Sequence, residues 1–201
     1  MLKKKEKTTK KEKLTFKSFM KDFISCALTF SVTMAAYHFT FTHLLQKSVV
    51  EGSSMEPTLY ENDTLISTKI FDPEQGDIVI IKSEKLGKDI VKRVIALEGQ
   101  TVDIDFDEGI VYVDGEPLNE QLYNEGEELH ADYFVNTLTT NNQNSAAQYP
   151  MVVPEGYIFV LGDNRNASLD SKSNQLGFVP VDEITSEVVV RTHPINDMKL
   201  F

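Results

Sequence analysis

The stretch Glu51–Asp63, EGSSMEPTLYEND, sets Ser53 and Ser54 between a glycine and a methionine. A serine hydroxyl becomes a useful nucleophile only when a neighbour takes its proton, and histidine is the usual neighbour. The chain has four histidines. His38 and His43 fall inside a long apolar run, and only His130 and His193 stand where they could serve the rest of the chain. Neither has flanking residues that suggest an orientation for catalysis, so the base must be sought elsewhere.

Lysine is the other side chain able to do this work. In DIVKRVIAL, residues 89–97, Lys92 shares its side of a strand with Ile90, Val94 and Ala96, an apolar face that would strip water from the ammonium. Arg93 faces the other way among Val91, Ile95 and Leu97, so alternation does not say which basic residue is inside. Chemistry separates them, because arginine stays protonated in proteins while a buried lysine can be driven neutral. At its unperturbed pKa a lysine is neutral at pH 7 only about once in 2,500 molecules, and lowering that pKa by roughly three units costs on the order of 4 kcal/mol of desolvation. A lysine snorkelling from a strand edge is the plain alternative. A third stretch, GYIFVLGDNRNASLDSKSNQLGFVP (156–180), runs from a strand into a loop dense with polar groups. Alone it reads as a set of satisfied turns. Beside a serine turn and a buried lysine, it supplies the Ser168 hydroxyl to orient an amine, with Asp170 and Arg165 to hold the loop.

The elements that would position these groups are mostly strands. DTLISTKIF, DIVIIKS, DIVKRVIAL, TVDIDF, GIVYVDG, GYIFVLG and SEVVVRT are β-branched and bounded by Gly, Asp, Asn or Pro, which predicts a mainly β domain. Asp114-Gly115 reads as a hairpin or strand-ending turn. Residues 119–150, with TTNNQNSAAQ at their centre, read as a surface excursion.

Ahead of that domain, Phe23–Leu45 holds 23 residues without Asp, Glu, Lys or Arg. As a helix it would cover roughly 34 Å, enough to cross a bilayer core, provided its serines and threonines find backbone carbonyls or other partners. A cleaved leader fits less well, because its apolar run would be shorter and end on small residues, where HLLQKSVVEG offers large ones. A buried soluble helix is the other competitor. The flanking lysines favour a retained anchor: residues 1–22 carry nine lysines and three acids, net +6, and predict the cytoplasmic end. The remaining residues carry 11 basic and 28 acidic groups, net −17, which excludes nucleic acid and anionic lipid as ligands of the main body. Cys26 is the only cysteine, so neither an internal disulfide nor a cysteine-based metal site is possible. The chain thus divides into a basic cytoplasmic tail (1–22), a transmembrane helix (23–45) and an exported β-rich domain (46–201). Ser54 stands nine positions after Leu45, at most roughly 30 Å away, so a reaction at Ser54 would occur near the membrane surface.

SMEPTL (54–59), GDIVII (76–81), IVKRVI (90–95), GDNRNASLDS (162–171) and GFVP (177–180), in this order behind an anchor, resemble the type I signal peptidases, bacterial membrane-bound serine endopeptidases that remove signal peptides. The resemblance spans most of the chain. It implies a membrane-anchored antiparallel β-sheet fold with Ser54 as nucleophile, Lys92 as general base and Ser168 hydrogen-bonded to the lysine amine. Asp170, Arg165, Asp163 and Arg93 would support them, and the Ser54 and Gly52 N–H groups would form the oxyanion site. Small-residue pockets would lie near Met55, Leu59 and Val91. No metal or cofactor is implied. Exported preproteins would be the substrates, with membrane lipid and the secretion translocon as partners. Two departures stand out. ALEGQ replaces the family's Gly-x-Pro-Gly-Asp turn at Ala96, Glu98 and Gln100, and Lys172 stands where arginine is common, which is expected to loosen an ion pair with Asp170. Two other readings remain: a Ser-Lys autoprotease of related fold, and a non-catalytic membrane-tethered β module.

Overall fold

The computed structural model describes the backbone of residues 2–15 and residues 16–106, 108–118 and 149–201. The excursion, apart from Tyr149 and Pro150, lies outside the described residues, as does His130. Contacts divide the chain into Met1–Leu44 and Leu45–Phe201.

In the first unit α1 spans Leu2–Phe39 and passes into a π-helical turn at Thr40–Leu44. The helix therefore begins within the lysine-rich segment, and Leu45, expected as the last residue of the span, is instead the first residue of a strand. Phe16–Leu44 is long and apolar enough to be a candidate membrane span. Three of its hydroxyls are satisfied locally: Thr29 Oγ1 donates to the Ser25 carbonyl, Ser31 Oγ to Ala27 and Thr33 Oγ1 to Phe30, each at 2.9 Å. Back-bonding of this kind lets hydroxyls sit in an apolar helix without a partner helix.

In the second unit each strand expected from β-branched alternation is present. In chain order the strands are β1 (Leu45–Val49), β2 (Thr64–Thr68), β3 (Ile78–Ser83), β4 (Lys88–Ala96), β5 (Thr101–Asp105), β6 (Ile110–Val113), β7 (Glu116–Pro117), β8 (Met151–Val152), β9 (Tyr157–Leu161), β10 (Val179–Pro180), β11 (Ile184–His193) and β12 (Lys199–Leu200). Among the described residues they form two antiparallel sheets. The larger runs β1-β2-β11-β3-β4-β9-β10, with β12 on β11, and the smaller runs β7-β6-β5-β8. Asp114 and Gly115, both with positive φ, turn β6 into β7, as an Asp-Gly hairpin requires. The pairs β7, β8, β10 and β12 are two residues each, too short for periodicity to reveal.

The centre of the large sheet is covered on both faces. Ile78 and Ile80 of β3 join Met55, Leu59, Leu65 and Val188, whereas Val79 and Ile81 join Ile90, Val94, Val160 and Leu176. The end of β4 belongs to a third cluster, in which Ile95 and Ala96 pack with Val102, Val111 and Phe159 between the two sheets. Strict alternation would leave Ala96 on the side of Lys92. A register shift in the β4–β9 pairing between Val94 and Ala96 carries both Ile95 and Ala96 to the small sheet instead.

Candidate active site

β4 pairs with β3 along Lys88–Arg93 but with β9 only from Arg93 onward, so the backbone edge ahead of Arg93 is open on one side. Lys92 begins on the side of Ile90 and Val94, and its long side chain folds over that open edge. Its Nζ donates to the Val91 carbonyl at 2.8 Å and lies 2.7 Å from Ser54 Oγ. Lys92 is 2% exposed. Burial lowers its pKa to about 8, against the opposing pull of the Asp170 carboxylate and with help from the Lys172 charge. Both basic residues of the strand are thus inside, and they divide the work. Arg93, on Val91's side, donates from Nε and Nη2 to the two oxygens of Asp163 at 2.9 and 2.6 Å and from Nη1 to the Gly76 carbonyl. Burial by itself would raise the Asp163 carboxyl, but the Arg93 and Arg165 charges and the hydrogen bonds from Arg93 and Thr58 outweigh it and hold the group low.

The loop after β9 packs against the Ser54 turn. Asn164 N–H donates to the Ser54 carbonyl at 3.1 Å, and its side-chain amide donates to the Ser53 carbonyl at 3.0 Å. Gly162 lies so close beneath that a Cβ there would overlap the Ser54 carbonyl oxygen and the Ser168 side chain; only glycine fits. Arg165 donates from Nε to the Gly162 carbonyl at 3.0 Å. Asp170, wholly buried, accepts from Gly162 N–H and from Lys172. That ion pair is not loosened: Lys172 Nζ reaches both carboxylate oxygens, at 3.0 and 2.8 Å. The ALEGQ turn is equally well made. Gly99 takes positive φ, Gln100 N–H donates to the Leu97 carbonyl, Gln100 Oε1 accepts from Leu97 N–H, and Glu98 accepts from Gly156 N–H at 2.7 Å.

Two expectations require correction. Ser168 does not hydrogen-bond the lysine amine; its Oγ is buried over Gly162 without a partner among the described residues, because the amine is directed to Ser54 and Val91. Leu59 is fully buried in the cluster under the turn and does not line the cleft beside Ser54. Met55 and Val91, by contrast, line a cleft of about 600 Å³ that also holds Ser54, Lys92, Glu51 and Leu169. Neither Ser54 N–H nor Gly52 N–H donates a hydrogen bond among the described residues, and Gly52 takes the positive φ that glycine allows. His193 is exposed at the end of β11, six residues beyond Glu187, which pairs with the Val79 that faces Lys92. That is roughly 20 Å along the strand, too far to serve Ser54. Sequence reasoning left Asn164, Thr58 and Gly162 without roles. Their positions inside GDNRNASLDS and SMEPTL were the available signal.

The chain thus presents an apolar helix that is a candidate membrane span, an antiparallel β domain, and a serine hydroxyl 2.7 Å from a buried amine. A family model described as signal peptidase, peptidase S26, matches residues 22–193, and the chain belongs to that family. It is 33% identical over 198 residues to signal peptidase I T of Bacillus subtilis, covering 96% of this chain and 94% of that one. With the probable signal peptidase I-1 of Synechocystis it shares 36% over 158 residues, covering 72% of this chain and 69% of the relative. A crystal structure of a signal peptidase I from Enterococcus faecalis aligns with a TM-score of 0.43 at 31% identity, over 59% of this chain and 97% of its own. The resemblance drawn from the motifs is borne out.

Proposed function

We propose that this chain is a serine endopeptidase that removes N-terminal signal peptides from exported preproteins, with Ser54 as nucleophile and Lys92 as general base. Family membership supports the reaction class. The observation that carries the dyad is the 2.7 Å approach of Ser54 Oγ to an amine that is 2% exposed. With its pKa near 8, about one Lys92 in ten is neutral at pH 7, a gain of more than two orders of magnitude over a free lysine.

The neutral amine takes the Ser54 proton as Oγ bonds to the scissile carbonyl carbon. The oxygen of the tetrahedral intermediate then meets the unspent Ser54 and Gly52 N–H groups. Collapse breaks the C–N bond, Lys92 returns its proton to the leaving amine, and water, deprotonated by the same lysine, hydrolyses the acyl-enzyme. An extended substrate fits the cleft, because the open edge of β4 faces Val49–Ser53 across it and offers backbone pairing. Met55 and Val91 would bound the small-residue pockets. The lysine-rich start supports a cytoplasmic N-terminus, a span within Phe16–Leu44 and a catalytic domain on the far side, with membrane lipid and the secretion translocon as neighbours.

Detergent-solubilised chain mixed with a signal-peptide-bearing precursor should release the mature protein, and Ser54→Ala should release none. Normal cleavage by that variant would reject the dyad. Self-cleavage at a rate independent of enzyme concentration would favour an autoprotease.

The pH dependence follows from the lysine. The protonated amine cannot act as base, so kcat/KM should rise tenfold per pH unit and level off near pH 8. Asp170 pulls the Lys92 pKa upward, so Asp170→Asn should move this limb to lower pH. A limb unmoved in Asp170→Asn, or one lost with His193, would assign it to another group.

A further inference from the structure

The turn carrying Ser54 is tied to two strands at once. Val50 N–H donates to the Asp63 carbonyl and Asn62 N–H to the Val50 carbonyl, closing its stem, while Leu59 N–H donates to the Met55 carbonyl within it. Thr58, 5% exposed, is where outside forces enter. Its hydroxyl donates to Asp163, the carboxylate gripped by Arg93 of β4. Its carbonyl accepts from Nη1 of Arg191 of β11 at 2.9 Å. Arg191 is 4% exposed, and its other donors are committed as well: Nη1 also meets Asp63 Oδ2 at 3.2 Å, Nε the Asp197 carbonyl at 2.9 Å and Nη2 Asp197 Oδ2 at 2.5 Å.

Arg93 is covalently next to Lys92. The tie Arg93–Asp163–Thr58 and the contact Lys92–Ser54 therefore form a closed ring between β4 and the turn. That ring and the Asn164 bonds to the Ser53 and Ser54 carbonyls hold the Ser54 end of the turn, while β4 reaches its Thr58 end through the Thr58 hydroxyl. A second attachment at the Thr58 carbonyl, from a different strand, fixes the orientation of that end. We infer that Arg191 is a positioning residue for the reaction: from β11 it locks the Thr58 end of the Ser54 turn, and Asp197 locks Arg191. Only a planar fork reaches four acceptors on three residues in fixed directions; lysine has one nitrogen and cannot. This inference rests on the Ser54–Lys92 reading.

The test compares wild type, Ser54→Ala, Arg191→Lys and Asp197→Asn, each as full chain in detergent, on the same precursor. Arg191→Lys keeps the buried charge and so isolates the loss of the fork. It should lose about 10- to 100-fold in kcat, the effect of a small misalignment, with KM within about twofold. A turn released at its Thr58 end also lets water reach Lys92, so its pH–rate limb should move to higher pH, which a purely structural role would not produce. Asp197→Asn, altering a half-exposed side chain, should show the same two changes in weaker form. A folded Arg191→Lys with wild-type kcat and limb overturns the inference. If Arg191→Lys does not fold, wild-type kcat and limb in Asp197→Asn overturn it, and a lowered kcat with the shifted limb supports it. Normal cleavage by Ser54→Ala would instead remove the dyad itself, and this inference with it.

Discussion

Lys92→Met should yield a protein that cleaves no precursor and yet unfolds at a higher temperature than the wild type. Loss of activity follows because Lys92 is the one described group in hydrogen-bond contact with Ser54 Oγ, while Asp163 and Asp170 are held in ion pairs and His193 lies at the far end of β11. Removing a dyad base leaves only whatever binding and the oxyanion donors provide, so a drop of about three orders of magnitude or more in kcat is expected. The gain in stability follows from linkage. The unfolded lysine titrates near 10.5 and the folded one near 8, so between those values the unfolded chain binds more protons and wild-type stability rises with pH. Below pH 8 the full cost of keeping a charged amine dry is present, about 3 kcal/mol for a shift of this size. Methionine occupies a similar volume without that charge. Thermal unfolding of the detergent-solubilised chains at pH 7 should place Lys92→Met several degrees above wild type, with the gap narrowing as pH rises from 8 toward 10.5. A variant that melts lower at pH 7 would show that the amine is not paying a desolvation penalty.

Arg93→Met should be the most destabilising single change at the site. It strands the Asp163 carboxylate, whose side chain has no exposure at all, leaving the Thr58 hydroxyl and the Arg165 charge to hold it. Breaking a buried pair from one side costs about 3–5 kcal/mol, which for a chain of this length is a fall of roughly 10 °C in melting temperature. The sign of the pH dependence identifies the cause. In the wild type the Asp163 pKa is depressed, so its contribution is complete above the ordinary carboxylate range and is lost as pH falls through the folded value. In Arg93→Met the stranded carboxylate is easier to protonate, and the gap to wild type should shrink as the pH is lowered from 7 toward 4. Adding Asp163→Asn should restore part of the loss. A single variant within about 1 kcal/mol of wild type would mean that Asp163 is adequately held without Arg93.

The expected strands were legible because β-branched alternation between turn residues is a local signal, and the hairpin at Asp114-Gly115 was legible because the positive φ it needs is nearly confined to such residues. The two-residue strands were not, since they are stabilised by pairing and have no periodicity of their own. The helix extends beyond the apolar run at its N-terminal end and gives way to a strand at Leu45. Charge marks where a segment stops being apolar, which is a different property from where it stops being helical.

At the site, the sequence by itself determined which groups were chemically able to react: a serine in a turn without histidine, a lysine and an arginine side by side on an apolar strand, and a polar loop after another strand. That much depends on side-chain chemistry and short-range spacing. The tertiary structure alone decided that both Lys92 and Arg93 are buried, because a strand covered on two faces has no solvent side for alternation to find. It also decided that the amine meets Ser54 and not Ser168, since the open edge left by β9 steers Nζ around the strand. Thr58, Asn164, Gly162 and Arg191 acquire their places from contacts with residues as many as 133 positions apart in the chain, and no local pattern encodes a distance that only folding closes.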